Sequence, residues 1–288
     1  VNDKALVIQP GKLGDILITA PIVKYYYDLG YTDIHWPVFS NFTSMVDRFE
    51  YVKPISFDIG LDPATYLNNK RVSFFDKFNT AGSRSQQFFK ILHEIYPDVS
   101  EFKVIDACFA FPGHFNPRNN EIGHTYMQQD KSWLQLKYDL VEVPLKQRWS
   151  LDYTRDIDKE DKLLDFIKKY AYRKYGSYDY SIVQEYEPHP DRPFPKHKVK
   201  NPINFSYVKG YEIVDWLKVL ENALEIVCID SCLCHFVEVA SSLKDIKKVY
   251  LGTEEPHHTS FMNNILFNNW TNLSETDISY GVSSIEDL

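Results

Sequence analysis

Cysteine is scarce, with four residues in a chain of 288. That is too few for the disulfide framework of a small secreted domain and predicts a reducing compartment. No apolar run approaches the length of a transmembrane helix. The first such run, "ALVIQ", leads straight into a glycine turn rather than a signal-peptide cleavage region. These absences predict a cytoplasmic protein with no spanning segment, and they leave peripheral membrane contact open. Positive charge is also in deficit: 32 Lys and Arg against 40 Asp and Glu give a net charge of −8. A general nucleic-acid binder needs a basic field, so no nucleic-acid partner is expected, although a local basic pocket for one phosphate ligand is not excluded. The usual nucleotide fingerprints are missing as well. Gly14 is followed by Asp15 rather than Lys-Ser/Thr, so "GKLGD" is not a P-loop, and GxGxxG does not occur. Short-period repeats and low-complexity tracts are absent, and nothing in the sequence sets an oligomeric state.

What is present is a globular composition, 44% hydrophobic and 25% charged. The length allows two domains. Aromatics reach 15%; they supply core area or, in a ligand cleft, flat faces that stack on rings and sugars. Strand-like and helix-like stretches alternate. "ALVIQ", "DIHWPV", "YVKPISF" and "FKVIDACFA" read as strands of the first half. Ile16, Ala20, Val23 and Tyr27 recur at helical spacing, with Gly30 as a stop, while "SNFTSMVDRF", "SRSQQFFKILHEIYP" and "SWLQLKYDL" read as helices. In the second half "YSIVQ", "INFSYV", "EIVCID" and "KKVYLG" read as strands. The helix from "DIDKED" onward has acids first and bases last, with a stripe at Leu163, Phe166, Ile167 and Tyr170. "EIVDWLKVLENAL" carries Ile213, Leu217, Leu220 and Leu224 on one face, and "CHFVEVASSL" is a further helix. Such alternation predicts an α/β protein with two parallel sheets. The expected domains are 1–150 and 151–288, with ligands at the carboxyl ends of the strands.

Two stretches carry candidate chemistry. In "GKLGD", Gly11 and Gly14 let the backbone approach a ligand at a helix N-terminus. Asp15 reads either as a helix-capping acid or as a carboxylate that takes a proton from an incoming hydroxyl. In "EIVCIDSCLCHFVEVASSL", a strand ends at Asp230 and a helix starts near Ser231 to Cys234. The free N–H groups of that helix start, the Ser231 hydroxyl and the His235 imidazole suit a pyrophosphate; ordinary capping by Asp230 and Ser231 is the alternative. Cys228, Cys232, Cys234 and His235 do not match the spacing of a zinc knuckle, so no metal is expected. "DID" at 156–158 is read as a helix start. His257 and His258 are equally compatible with a cleft or a surface.

In order and separation these pieces resemble glycosyltransferase family 9, the heptosyltransferase-like family, with its GT-B fold of two Rossmann-like α/β domains whose parallel sheets face a central cleft. "GKLGDILITAP" is similar to the family's N-terminal strand, "GD" and apolar helix. "IVCIDSCLCHFVEVA" is similar to its Asp-Ser/Thr-Gly-x-x-His segment. "SIVQ" with "DRPFP", and "VYLGTEEP", resemble two further strand-loop units. The resemblance implies that 1–150 is the acceptor-side domain with the catalytic base, and 151–288 the nucleotide-sugar-binding domain. It implies an inverting transferase without metal or other cofactor. A sugar, hexose or heptose, would pass from a nucleotide-diphosphate donor to a saccharide or glycoconjugate hydroxyl. Asp15 would be the base. Asp230, Ser231, Cys232 and His235 would hold the diphosphate, with Arg192 in place of a loop lysine. Lys209, Gly210 and Tyr211 would lie on the side of the nucleotide base. On the acceptor side, "FPGHFNPRNNEIGHTYMQQ" offers His114, Arg118 and His124.

The chain departs from the pattern where Cys232 replaces a glycine, and where a proline-rich segment precedes "INFSYV" in place of a helix. Two other readings fit the same scaffold: a nucleotide-sugar epimerase or hydrolase, and a non-catalytic nucleotide- or glycan-binding protein.

Overall fold

In the computed structural model, the described residues are 3–11, 13–57, 92, 94–107, 133–184, 197–229, 231–251 and 270–273. The chain divides into two compact units, Val1–Thr154 and Arg155–Leu288. Local bonding explains the division. The Thr154 N–H donates to the Arg48 carbonyl at 2.8 Å, and the Tyr51 hydroxyl reaches the Asp152 carbonyl at 3.2 Å. The next residue, Arg155, turns instead to Glu160, its Nε donating to Oε1 at 2.8 Å.

The first unit opens with β1 (Lys4–Val7), α1 (Leu13–Asp28) and β2 (Asp33–Phe39). A short 3-10 turn, Ser40–Phe42, leads into α2 (Thr43–Val46) and β3 (Lys53–Phe57). Later come β4 (Lys103–Ile105) and α3 (Trp133–Leu140), then a 3-10 segment, Leu145–Trp149. The sheet order is β3-β2-β1-β4, and all three pairings are parallel. Central β1 is covered on both faces, so Ala5, Leu6, Val7 and Ile8 are all at 0% exposure, as the unbroken apolar run predicts. Leu6, Ile8, Phe39, Phe57, Leu92 and Tyr96 form one core cluster. Helix α1 buries Ile16, Ala20 and Val23, whereas Tyr27 emerges at the rim. It is tied to α3 by the Tyr138 hydroxyl, which donates to the Ile18 carbonyl at 3.0 Å.

The second unit holds α4 (Ile157–Tyr175), β5 (Ser181–Val183), β6 (Pro202–Asn204) and α5 (Leu217–Glu221). It continues with β7 (Glu225–Cys228), α6 (Cys232–Val239), β8 (Lys247–Leu251) and β9 (Trp270–Leu273). Its order is β6-β5-β7-β8-β9, again with every pairing parallel. The α/β class with two parallel sheets is therefore as the sequence predicts.

Two local readings need correction, and one strand was not anticipated. Helix α4 buries Glu160, Leu163, Ile167 and Ala171, while Phe166 and Tyr170 stand 51% and 39% exposed. Phe166 and Ile167 point about 100° apart on a helix, and the arc that holds the Arg155–Glu160 pair and the small Ala171 is the one that packs. "EIVDWLKVLENAL" is not one helix: a 3-10 turn, Ile213–Trp216, with a Glu212/Asp215 capping box, precedes the short α5. Ile213, Leu217 and Leu220 are buried there and Leu224 is exposed. Strand β9 runs through "WTNL", whose two apolar residues are three apart and carry no strand alternation to announce it. "SRSQQFFKILHEIYP" falls mainly outside the described residues. Among the described residues, no helix is long and apolar enough to cross a membrane.

Candidate active site

In the first sheet the chain passes from β1 outward to β2 and β3, then returns to the other side of β1 as β4. The carboxyl ends of β1 and β4 thus flank a topological switch point, where open parallel sheets bind ligands. The Ile8 N–H still donates to the Ile105 carbonyl at 2.9 Å, so the two strand ends remain side by side. Gln9 and the turn into α1 follow β1, and buried Asp106 follows β4.

Asp15 is not a cap. Helix α1 begins at Leu13, which makes Asp15 its third residue, in the first turn, where the helix dipole favours an acid. Its side chain is 26% exposed and is met by Lys137 of α3, only 2% exposed, with Nζ donating to Oδ1 at 2.9 Å. The same ammonium lies 3.4 Å from Gln9 Oε1. Gln9 in turn fixes the turn: its Nε2 donates to the Gly11 carbonyl at 2.8 Å, and its carbonyl accepts from Trp36 Nε1 at 2.8 Å.

The room at Gly11 is not open to substrate. A Cβ there would lie 2.5 Å from Phe39 Cδ2 and 3.1 Å from Phe42 Cε2. Glycine is required because aromatic rings from β2 and the following turn pack on the backbone. Gly14 lies within α1, in its first turn.

The second sheet has its own switch point. The chain goes from β5 to edge strand β6, then back across to β7. Gln184 follows β5, and its N–H donates to the Val227 carbonyl at 2.8 Å. Ser231, at the end of the β7 segment, is the N-cap of α6. The Cys234 N–H donates to its Oγ at 3.5 Å, and its hydroxyl donates to Gln184 Oε1. Cys232 occupies the first helical position and is absent from the residues with positive φ, so no glycine conformation is needed there. Burial pushes its thiol up to about 11, against the backbone N–H groups of Leu233 and Cys232 and the Gln184 side chain, which act in the opposite direction. His235 lies in the first turn of α6, 6% exposed. Ser231, Cys232 and His235 are therefore together at one helix start.

Lys209, Gly210 and Tyr211 form a turn beyond edge strand β6, with Gly210 at φ +88°. One strand, β5, stands between β6 and β7, which leads to α6. Asp230, Arg192, His114, Arg118 and His124 lie outside the described residues. Among the described residues, no three His, Cys, Asp or Glu side chains gather where a metal ion could be held.

Sequence reasoning passed over Lys137, Gln9 and Gln184. A lysine beside apolar residues in "SWLQLKYDL" and a glutamine closing each of the runs "ALVIQ" and "SIVQ" were the available signals.

No family model matches the chain, and no curated protein matches it. Among solved structures, it is similar to a glycosyl transferase of family 9 from Veillonella parvula DSM 2008. That likeness has 11% identity and a TM-score of 0.48, over 95% of this chain and 86% of the other. It is also similar to the E. coli heptosyltransferase WaaC solved with ADP, at 11% identity and a TM-score of 0.45, over 97% of this chain and 96% of that one. WaaC with ADP-2-deoxy-2-fluoro heptose gives 12% identity and a TM-score of 0.41, over 94% and 92% of the two chains. At these identities and TM-scores, any functional reading rests on this chain's own residues.

Proposed function

We propose that the protein is an inverting, metal-independent glycosyltransferase that moves a sugar from a nucleotide-diphosphate donor to a hydroxyl of a saccharide or glycoconjugate. The observation that carries this reading is the Asp15 carboxylate, partly exposed at the first switch point and held by a buried lysine. A partly exposed carboxylate held in one orientation at a switch point is within reach of an incoming hydroxyl and can take its proton. Asp15 takes the acceptor hydroxyl proton as that oxygen attacks the anomeric carbon. The bond from the anomeric carbon to the diphosphate oxygen breaks on the opposite face, and the configuration inverts.

The leaving diphosphate takes up the negative charge. The start of α6, Ser231, Cys232, His235 and Asp230 hold it, and Arg192 adds a positive charge, so that fixed dipoles stand in for a metal ion. Lys209, Gly210 and Tyr211 serve the nucleotide base, and His114, Arg118 and His124 the acceptor. The chemistry needs no cofactor beyond the nucleotide sugar.

A screen of thermal stability against nucleoside diphosphates and nucleotide sugars tests the donor half. Ligand at 100 times its Kd adds about 2.7 kcal/mol. Stabilisation by one diphosphate series, followed by sugar transfer only when an acceptor is present, is the expected result. Release of free or epimerised sugar without acceptor indicates the epimerase or hydrolase instead.

A non-catalytic nucleotide-binding protein is the second reading. It is favoured by the start of α6, where the Ser231 hydroxyl already caps the Cys234 N–H. Tight binding of a nucleotide with no turnover across acceptors would select it.

A further inference from the structure

We propose that Lys137 is a positioning residue for Asp15: it fixes the carboxylate that the transferase reading makes the base, and does not itself meet substrate. The inference rests on that reading for its catalytic consequence.

An ammonium at 2% exposure is costly to bury unless it is paired and hydrogen-bonded. Lys137 finds its acceptors in Asp15 Oδ1 at 2.9 Å and Gln9 Oε1 at 3.4 Å. Both belong to the segment that joins β1 to α1. Gln9 is itself immobilised from two sides, through the Gly11 carbonyl and the Trp36 indole. On the neighbouring position of α3, Tyr138 is at 0% exposure and its hydroxyl donates to Ile18 of α1. That bond locks the register of the two helices that carry Lys137 and Asp15. The exposures divide the roles: Asp15, at 26%, presents surface, and Lys137, at 2%, does not. A carboxylate that must receive a proton from a hydroxyl gains from being held in one orientation before the acceptor arrives.

Lys137→Met keeps an unbranched side chain, one atom shorter, and removes its charge. In a transfer assay, the variant is expected to lose about 10–100-fold in kcat, with both KM values within about twofold of wild type. In the Asp15→Asn background, the same change is expected to alter residual transfer by less than about twofold, since Lys137 acts only through Asp15. Thermal melts of the four proteins read the pairing without any turnover. Each single variant should lower Tm, and the double variant should lose less than the sum of the two losses. If Lys137→Met does not fold, Lys137→Gln takes its place in every measurement.

A rise in KM with kcat unchanged would overturn the proposal, because Lys137 would then be binding substrate. Additive melts, or full kcat in the folded variant, would overturn it too. Wild-type protein that transfers no sugar from any donor defeats the transferase reading instead. The melts then still decide the pairing, non-additivity upholding it and additivity refuting it.

Discussion

Gly11 shows how one residue can be needed for a reason other than the one its motif suggests. A methyl group there would press on the Phe39 ring at 2.5 Å, and that ring is buried with Leu6 and Phe57. Gly11→Ala is therefore expected to cost about 1–3 kcal/mol, the usual range for overpacking, read as a lower urea midpoint with unchanged slope. Cys232 is a second case. Burial pushes its thiol to about 11, so near neutral pH little thiolate exists to react. Its alkylation rate, followed peptide by peptide in mass spectra, should rise about tenfold per pH unit between pH 7 and 9. A rate that is flat over that range would show a thiolate already formed. Asp15 and Lys137 complete the residue scale: the acid was legible from "GKLGD", whereas its partner lies 122 positions away in sequence.

Among the elements, α4 makes the sharpest distinction between pattern and packing. Leu163 and Ile167 are 0% and 3% exposed, against 51% for Phe166. Leu163→Ala or Ile167→Ala should each cost about 2–5 kcal/mol in urea melts. Phe166→Ala and Tyr170→Ala should stay within about 0.5 kcal/mol, as surface changes do. The reverse ranking would mean that the aromatic side is the packed one. The sequence could not choose between the two arcs, because aromatic and aliphatic residues both read as apolar, and the buried Glu160 reads as polar. Its Arg155 partner is what lets a carboxylate sit in the core. The parallel strands were more legible, since burial on both faces leaves unbroken runs such as "ALVIQ" and "EIVC". Strand β9 was not, because it is short, its apolar residues do not alternate, and its partner β8 supplies the pairing. The α6 start was legible as a serine before an apolar helix. Its bond to Gln184 was not, since that contact spans 47 positions.

For the molecule as a whole, acid stability has an identifiable contributor. Glu225 begins β7, where burial works against its charge, but hydrogen bonds from Lys247 and His197 outweigh it and hold the carboxyl below its ordinary value of 4.5. A carboxyl lowered on folding stabilises the protein above its unfolded pKa, and that contribution drains away as pH falls through the folded value. Wild type and Glu225→Gln should accordingly differ most in Tm above about pH 5 and converge in stronger acid; a constant gap across pH would assign the loss to packing alone. Each unit has a parallel sheet with a glutamine closing a strand beside its switch point, Gln9 after β1 and Gln184 after β5. Asp15 belongs to one unit, and Ser231 and His235 to the other. The most direct test is a comparison of wild type and Asp15→Asn in donor binding and in transfer to an acceptor panel. The account predicts donor Kd unchanged within about twofold and transfer reduced by at least about 100-fold, the usual scale for removing a general base. Near-normal turnover by Asp15→Asn would contradict it.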